Sequence, residues 1–257
     1  MNIKNLVKSL LGINNIKFIK SWFRSSKEKK LIKKRKEFYS QFLIPNSVFF
    51  DIGANYGNRI EPLINENIKI IAVEPQEECV RFLKKKYGNK ITILQNGVGE
   101  KIETKLLYIS TNANILSSFS KDWINSTKES GRFKNIIWNE TREIEMVTLD
   151  YLISKFGSPS FIKIDVEGFE LEVLKGLTQS VKSLSLEYTV PERKDALLDC
   201  LCYLNTLYNS NIMFNYCKTE FTEFSLSHWV NYNDMIEEVN STAFLNTKFG
   251  DVYVKLN

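Results

Sequence analysis

The 257-residue chain predicts an α/β protein with a doubly wound, largely parallel sheet, preceded by a basic helical arm. Three observations predict it. Between Pro45 and Asn96, the apolar runs "SVFFDI", "IKIIAVE" and "KITILQN" are separated by a glycine loop and by the amphipathic stretch "QEECVRFLKKKYG". Strand, helix, strand, helix, strand within ~50 residues is half of such a sheet. The first run ends in Gly53-Ala54-Asn55-Tyr56-Gly57, the kind of strand-to-helix loop where this architecture takes a ligand. Finally, "SFIKIDVEG", "FELEVLKGL" and "SLSLEY" repeat the alternation further on.

The elements follow in order. Residues 1–44 form the arm. Ile3, Leu6, Val7, Leu10 and Leu11 recur at the spacing of one helical face, and Ile16, Ile19, Trp22 and Phe23 continue it past Gly12. Residues 1–36 hold twelve Lys/Arg against one acid, Glu28, so the other 221 residues carry a net −6. A basic amphipathic helix with an aromatic tip suits an anionic membrane surface. It can equally dock its apolar face on the body, and nucleic acid is a third, weaker partner because the body is acidic.

Residues 45–257 form the main domain. After "SVFFDI" a helix is expected, with Asn58 as its cap and Pro62 in its first turn. In the next helix Cys79, Phe82, Leu83 and Tyr87 share a face that Gly88 closes. "KIETKLLYIS" and "TREIEMVTL" read as strands flanking a polar insertion, residues 111–140. "LDYLISKFG" and "PERKDALLDCLCYLNTLYN" read as helices. "NIMFNYCK" and "GDVYVKLN" finish as strands around a second irregular insertion, residues 219–250.

Composition is ordinary for a soluble globular protein, at 43% hydrophobic and 25% charged. No 18-residue apolar run and no leader-like start are present, so a cytoplasmic protein is expected. The four cysteines lack C-x-x-C spacing and His228 is the only histidine, so no zinc centre is expected and Mg²⁺ on a carboxylate cluster is only a minor option.

The loop favours one nucleotide cofactor over another. A dinucleotide loop places glycines at its first, third and sixth positions so that backbone can approach a pyrophosphate. Here Asn55 occupies the third position and a carboxylate, Asp51, precedes the loop. An anion there opposes a pyrophosphate and suits the ammonium and sulfonium of S-adenosylmethionine. Glu74, at the end of the second strand, fits the ribose hydroxyls of either cofactor.

At this point the chain resembles the FkbM-type methyltransferases. The resemblance is carried by "FFDIGANYGN", "AVEPQEECVRFL" with "LQNGVGE", and "VTLDYLISKFGSPSFIKIDVEGFELEVLKGL", spanning residues 48 to about 188. It implies a class I methyltransferase fold: a Rossmann-like, seven-stranded mixed sheet whose last strand is antiparallel. It also implies methyl transfer from S-adenosylmethionine to an oxygen, usually a hydroxyl of a sugar, glycan or natural product. By position, Asp51, Gly53, Asn55 and Gly57 would shape the methionine end of the pocket, Glu74 and Gln76 the ribose, and Asn96 and Gly97 the adenine. The family more often has alanine at the position of Gly97, which predicts a wider adenine slot here. Ser117 and Ser118, in "NANILSSFS", resemble a serine stretch of the family and would reach cofactor or acceptor.

Methyl transfer aligns an acceptor oxygen with the methyl and needs a group for the acceptor's proton. Asp165 and Glu167, at the turn after the fourth core strand, and Glu187, ending the fifth, are the candidates, and Asp165 is expected to contact the cofactor as well. His228 is the only imidazole available. The expected function is an S-adenosylmethionine-dependent O-methyltransferase acting on a small molecule or glycan, peripheral at the inner membrane face. A nicotinamide-dependent sugar oxidoreductase and a catalytically degenerate binding module remain the alternatives.

Overall fold

The computed structural model describes residues 25–219 and 222–257. The helical pattern over residues 3–23 lies outside the described residues. Helix α1, Ser26–Tyr39, starts with a capping box: the Ser25 hydroxyl accepts from the Glu28 amide, and Glu28 accepts from the Ser25 amide at 2.7 Å. The helix is open to solvent as far as Lys34, with only Ile32 half-buried. Its last turns are buried through Arg35, Phe38 and Tyr39. Phe42 then stacks on Phe161, centroids 4.7 Å apart, so the chain from Phe38 onward is part of the core.

Strand β1, Val48–Ile52, and β2, Lys69–Val73, pair in parallel. No helix joins them. The Ile60, Leu63 and Glu66 amides instead donate to the carbonyls of Gly57, Ile60 and Leu63, one tight turn after another. Pro62 supplies no amide for a continuous ladder, which corrects the expected helix. Helix α2, Glu77–Tyr87, buries the predicted face Cys79, Phe82, Leu83 and Tyr87. Strand β3, Thr92–Leu94, closes the first half-sheet.

Strands β4, Gly97–Val98, β5, Thr104–Ser110, and β6, Trp138–Val147, form a separate three-stranded sheet. The insertion between β5 and β6 is more ordered than its polar sequence suggested. It contains helix α3, Lys121–Glu129, capped by the Ser120 hydroxyl and anchored by the buried Trp123. Helix α4, Leu149–Phe156, leads to β7, Phe161–Ile164. Helix α5, Glu170–Lys175, leads to β8, Ser183–Thr189, and helix α6, Lys194–Leu207, leads to β9, Ile212–Lys218. The second insertion carries helices α7, Tyr232–Asn240, and α8, Thr242–Leu245, before β10, Phe249–Leu256.

The main sheet has the order β3-β2-β1-β7-β8-β10-β9, with β10 antiparallel to both neighbours. Its chain order reverses between β1 and β7, the switch point where a ligand crevice opens. Side chains alternate between two layers. Phe50, Ile52, Ile162, Ile164, Leu184 and Leu186 face one, while Phe49, Ala72, Phe161 and Tyr253 face the other, beneath α1. The register places Asp51 beside Lys163, Lys163 beside Ser185, and Glu187 beside Asp251. Polar groups therefore cross a sheet buried on both sides.

Candidate active site

The loop after β1 is held by backbone geometry. Gly53, Asn55 and Gly57 have φ of 80°, 48° and 75°, a region that favours glycine and tolerates asparagine. A Cβ on Gly53 would lie 1.9 Å from the Asp165 carbonyl oxygen, so the loop and the turn after β7 are in backbone contact. The turn after β7 is equally constrained. Glu167 (φ 55°) and Gly168 (φ 88°) are both left-handed, and Glu170 Oε1 accepts from the amides of Val166 at 3.2 Å and Gly168 at 3.1 Å. Trp123 of α3 packs where a Gly168 side chain would stand.

Between the two turns lies a cavity of about 220 Å³. Of the expected cofactor residues, Gly53, Asn55, Glu74, Gln76, Asn96, Gly97, Ser117 and Asp165 all line it. Glu74 is fixed by two amides: Asn55 N–H donates to Oε2 at 2.8 Å and Gln76 N–H to Oε1 at 2.9 Å. Burial pushes its pKa up to about 7 against the pull of those amides. Ser117 Oγ donates to Gln76 Oε1 at 3.2 Å, and Gln76 Nε2 donates to the Asn114 carbonyl at 3.0 Å. Asn96 Nδ2 donates to the Glu145 carbonyl on β6.

Two of the expected residues stand behind the wall. The Gly57 carbonyl accepts from the Tyr87 hydroxyl at 3.0 Å, and Tyr87 fills the space over Gly57. Asp51 is buried beneath the loop on the Lys163 face, its Oδ2 without a hydrogen-bond partner. Burial raises its pKa to about 6. Gly97 does not widen the adenine slot, which corrects that expectation. A Cβ there would meet Met146 Sδ at 2.3 Å and the Phe119 ring at 2.8 Å, so those side chains already occupy the space.

Four carboxylates and no cationic side chain line this cavity. That donor set fits S-adenosylmethionine: acceptors for ribose hydroxyls at Glu74, and negative charge for a sulfonium and an ammonium. It sets no cationic side chain against a pyrophosphate.

Asp165, Glu167 and Glu187 converge with carboxylate oxygens within 4.8 Å of one another. Lys163, missed in the sequence, explains how this much charge coexists. It is 1% exposed, and its Nζ lies 2.5 Å from Asp165 Oδ2 and 3.7 Å from Asp251 Oδ1, while Arg59 reaches Asp251 Oδ2 at 3.6 Å. Burial works against an ionised Asp165, but the adjacent ammonium outweighs it and holds the carboxyl below the ordinary range. Glu167 and Glu187 go the other way. Burial, and then the charge of Asp165, push both well above the usual carboxylate values. The signal available in the sequence was a lysine inside "FIKI" and an aspartate inside "GDVYV", charges in strands otherwise apolar.

A second cavity, about 520 Å³, adjoins the first. Phe119 and Glu187 belong to both walls. Tyr108, Trp123, Phe169 and Tyr188 add aromatic surface, and Arg193 and Lys121 add positive charge. Ser118 takes no part in either lining. Its hydroxyl donates to the Glu167 carbonyl at 2.6 Å and ties the first insertion to the carboxylate turn. His228 is not brought to the site. It is exposed beside the edge strand β9, where its carbonyl accepts from Asn215, and it lines neither cavity. Three strand spacings, about 14 Å, separate β9 from β7.

The strand order and the carboxylate-lined crevice at its switch point define a class I methyltransferase. The sequence model described as "Methyltransferase FkbM domain" matches residues 51–209, and the chain belongs to that family of S-adenosylmethionine-dependent methyltransferases. No curated relative matches it. Among solved structures, it is similar to a precorrin-6y C5,15-methyltransferase from Geobacter metallireducens, at 14% identity over 87% of each chain and a TM-score of 0.44. An rRNA methylase from Streptococcus thermophilus aligns at 14% identity over 86% of this chain and 93% of its own, TM-score 0.42. A TehB-like SAM-dependent methyltransferase from Corynebacterium glutamicum aligns at 5% identity over 87% and 88%, TM-score 0.45. Similarity this low says nothing about the acceptor.

Proposed function

We propose that this methyltransferase transfers the methyl group to a hydroxyl oxygen, and that the acceptor is a sugar or glycan. The observation that carries the reading is Glu187, a carboxyl with a raised pKa standing in the wall between the two cavities. When bound in the smaller cavity, S-adenosylmethionine supplies the electrophilic methyl. Glu187 then stands where an acceptor hydroxyl approaching from the larger cavity gives up its proton. Asp165, kept ionised by Lys163, holds negative charge beside the methionine end with Glu167 next to it, and Glu74 accepts from the ribose hydroxyls. Aromatic faces mixed with carboxylates in the larger cavity suit a sugar ring, whose C–H face stacks while its hydroxyls donate.

The test is incubation with labelled S-adenosylmethionine and an extract of the source organism, followed by identification of the labelled product. A methyl ether on a sugar is the expected product, and label on nitrogen or carbon overturns the reading. The nicotinamide alternative is disfavoured by the absence of a cationic side chain in the cofactor cavity's lining. A purely binding role is tested by titration with S-adenosylhomocysteine, which it predicts not to bind.

The exposed half of α1 presents Lys27, Lys29, Lys30, Lys33 and Lys34. This supports a second proposal, that the enzyme works at an anionic membrane surface, where each lysine contributes about 1 kcal/mol. Among the described residues no helix is long and apolar enough to cross a membrane. Salt-sensitive sedimentation with anionic liposomes is expected, and its survival in Lys27→Glu/Lys30→Glu/Lys34→Glu would sink the idea.

A further inference from the structure

Arg193 is the N-cap residue of α6 and lines the larger cavity only. Its Nε is buried and has no hydrogen-bond partner, and its guanidinium makes no ion pair among the described residues. Asp122 and Asp199 line the same cavity without an ion pair to Arg193, and the other acids near it are engaged elsewhere. Glu192 accepts from Arg132 at 3.0 and 2.7 Å, Glu170 accepts from the Val166 and Gly168 amides, and Glu172 is held by Lys175 at 2.8 Å. Glu187 faces the Asp165 and Glu167 carboxylates, whose oxygens lie within 4.8 Å of its own. A buried Nε–H left without an acceptor is unfavourable, so the free protein holds a guanidinium ready for an oxygen ligand.

Two further features favour an anion over a neutral hydroxyl. The first turn of α6, a 14-residue helix without a side-chain cap, faces the same cavity through Arg193, Ala196 and Leu197, and adds its positive end. Lys121, its ammonium 5.2 Å from the Tyr108 ring centroid, is a second cation in the wall. Through Nε and one Nη, a guanidinium presents two parallel N–H groups that match two oxygens of a carboxylate or phosphate.

We infer that the acceptor carries an oxyanion, the carboxylate of a sugar acid or the phosphate of a sugar phosphate, and that Arg193 binds it with Lys121 assisting. Glu187 marks the reacting end of the cavity and Arg193 its anchoring end. The inference rests on reading the larger cavity as the acceptor site, and its test does not pass through methyl transfer.

The experiment follows the Arg193 Nε–H resonance by ¹H–¹⁵N NMR in the full chain saturated with S-adenosylhomocysteine, assigned by its loss in Arg193→Lys. Glucuronate, glucose 6-phosphate, inorganic phosphate and glucose are titrated in turn. At least one oxyanion should shift the resonance and bind about tenfold more tightly than glucose, and Arg193→Gln should abolish that difference while keeping S-adenosylhomocysteine affinity. Response to glucuronate alone identifies a carboxylate, and response to the two phosphates identifies a phosphate. Glucose moving the resonance as far, or no oxyanion moving it, overturns the inference. A methylated neutral sugar, by contrast, would leave the methyltransferase reading intact and remove only this one.

Discussion

Lys163 and Asp165 sit two residues apart on one face of the chain, and the buried Lys163 Nζ donates to Asp165 Oδ2 at 2.5 Å where β7 ends at the smaller cavity. Asp251 draws on the same ammonium from across the sheet at 3.7 Å. A buried ion pair adds little by its presence, but removing one partner strands the other. Lys163→Met is therefore expected to destabilise the protein by about 3–5 kcal/mol in chemical denaturation. Adding Asp165→Asn should recover part of that loss. Strict additivity of the two would mean the pair is not coupled.

Glu187 should set the acid limb of the activity profile. The proposed base must be ionised to accept a proton, and burial together with Asp165 raises its pKa well above the normal range. The kcat/KM should therefore climb as pH rises through values where an ordinary glutamate is already fully charged. Glu187→Gln should lower kcat by roughly 10²–10⁴ and abolish that limb, with S-adenosylhomocysteine still bound. His228→Ala should leave both unchanged, because the imidazole is outside both cavities.

The buried acids also fix how stability varies with pH. Glu74 and Glu170 are raised to about 7 and Asp51 to about 6, each chiefly by burial. Between their unfolded values near 4 and these folded values, the native state binds more protons than the unfolded chain. Stability supplied by the protonated forms is full at low pH and lost as pH rises through that window. Glu74→Gln removes one contribution, so from pH 5 to pH 8 it should gain roughly 2–3 kcal/mol on wild type in denaturation. Parallel curves for the two proteins would contradict the assignment.

Gly97 offers a mild substitution with a clear sign. A methyl group there would meet Met146 Sδ, the flexible part of a side chain, and the Phe119 ring. Gly97→Ala should cost about 1–3 kcal/mol in thermal denaturation, and Met146→Ala in the same chain should return part of it. A neutral Gly97→Ala would show that the slot is as open as the sequence suggested.

Much of the frame was legible because it is written locally. "SVFFDIG" and "FIKIDVEG" are short apolar strands closed by glycine turns, and with "IKIIAVE" beside them they place Gly53, Asp165 and Glu74 together by topology alone. What was hidden depended on distance along the chain. Asp251 meets Lys163 only because β10 turns back antiparallel and sets Asp251 beside Glu187. The helix expected after Gly57 gives way to turns at Pro62, while α3, α7 and α8 are short helices whose polar sequences read as loops. Trp123 and Arg193 take their places in the second cavity through contacts made far from their own neighbours.

Asn114 supplies the last prediction. Its Nδ2 donates to the Tyr56 hydroxyl at 2.7 Å, and its carbonyl accepts from Gln76 Nε2 and Ser117 Oγ. The segment around it thus spans the cofactor cavity from the β1 loop to the end of β2, with Ile115 in the lining. Opening that segment must break the Asn114–Tyr56 bond, worth about 0.5–1.5 kcal/mol. Asn114→Ala and Tyr56→Phe should each speed S-adenosylhomocysteine release by about 2–10-fold in stopped-flow chase experiments. Because both remove the same bond, the double variant should release it no faster than the quicker single one. Multiplying effects would show that the two residues act separately and that the bond does not hold the segment closed.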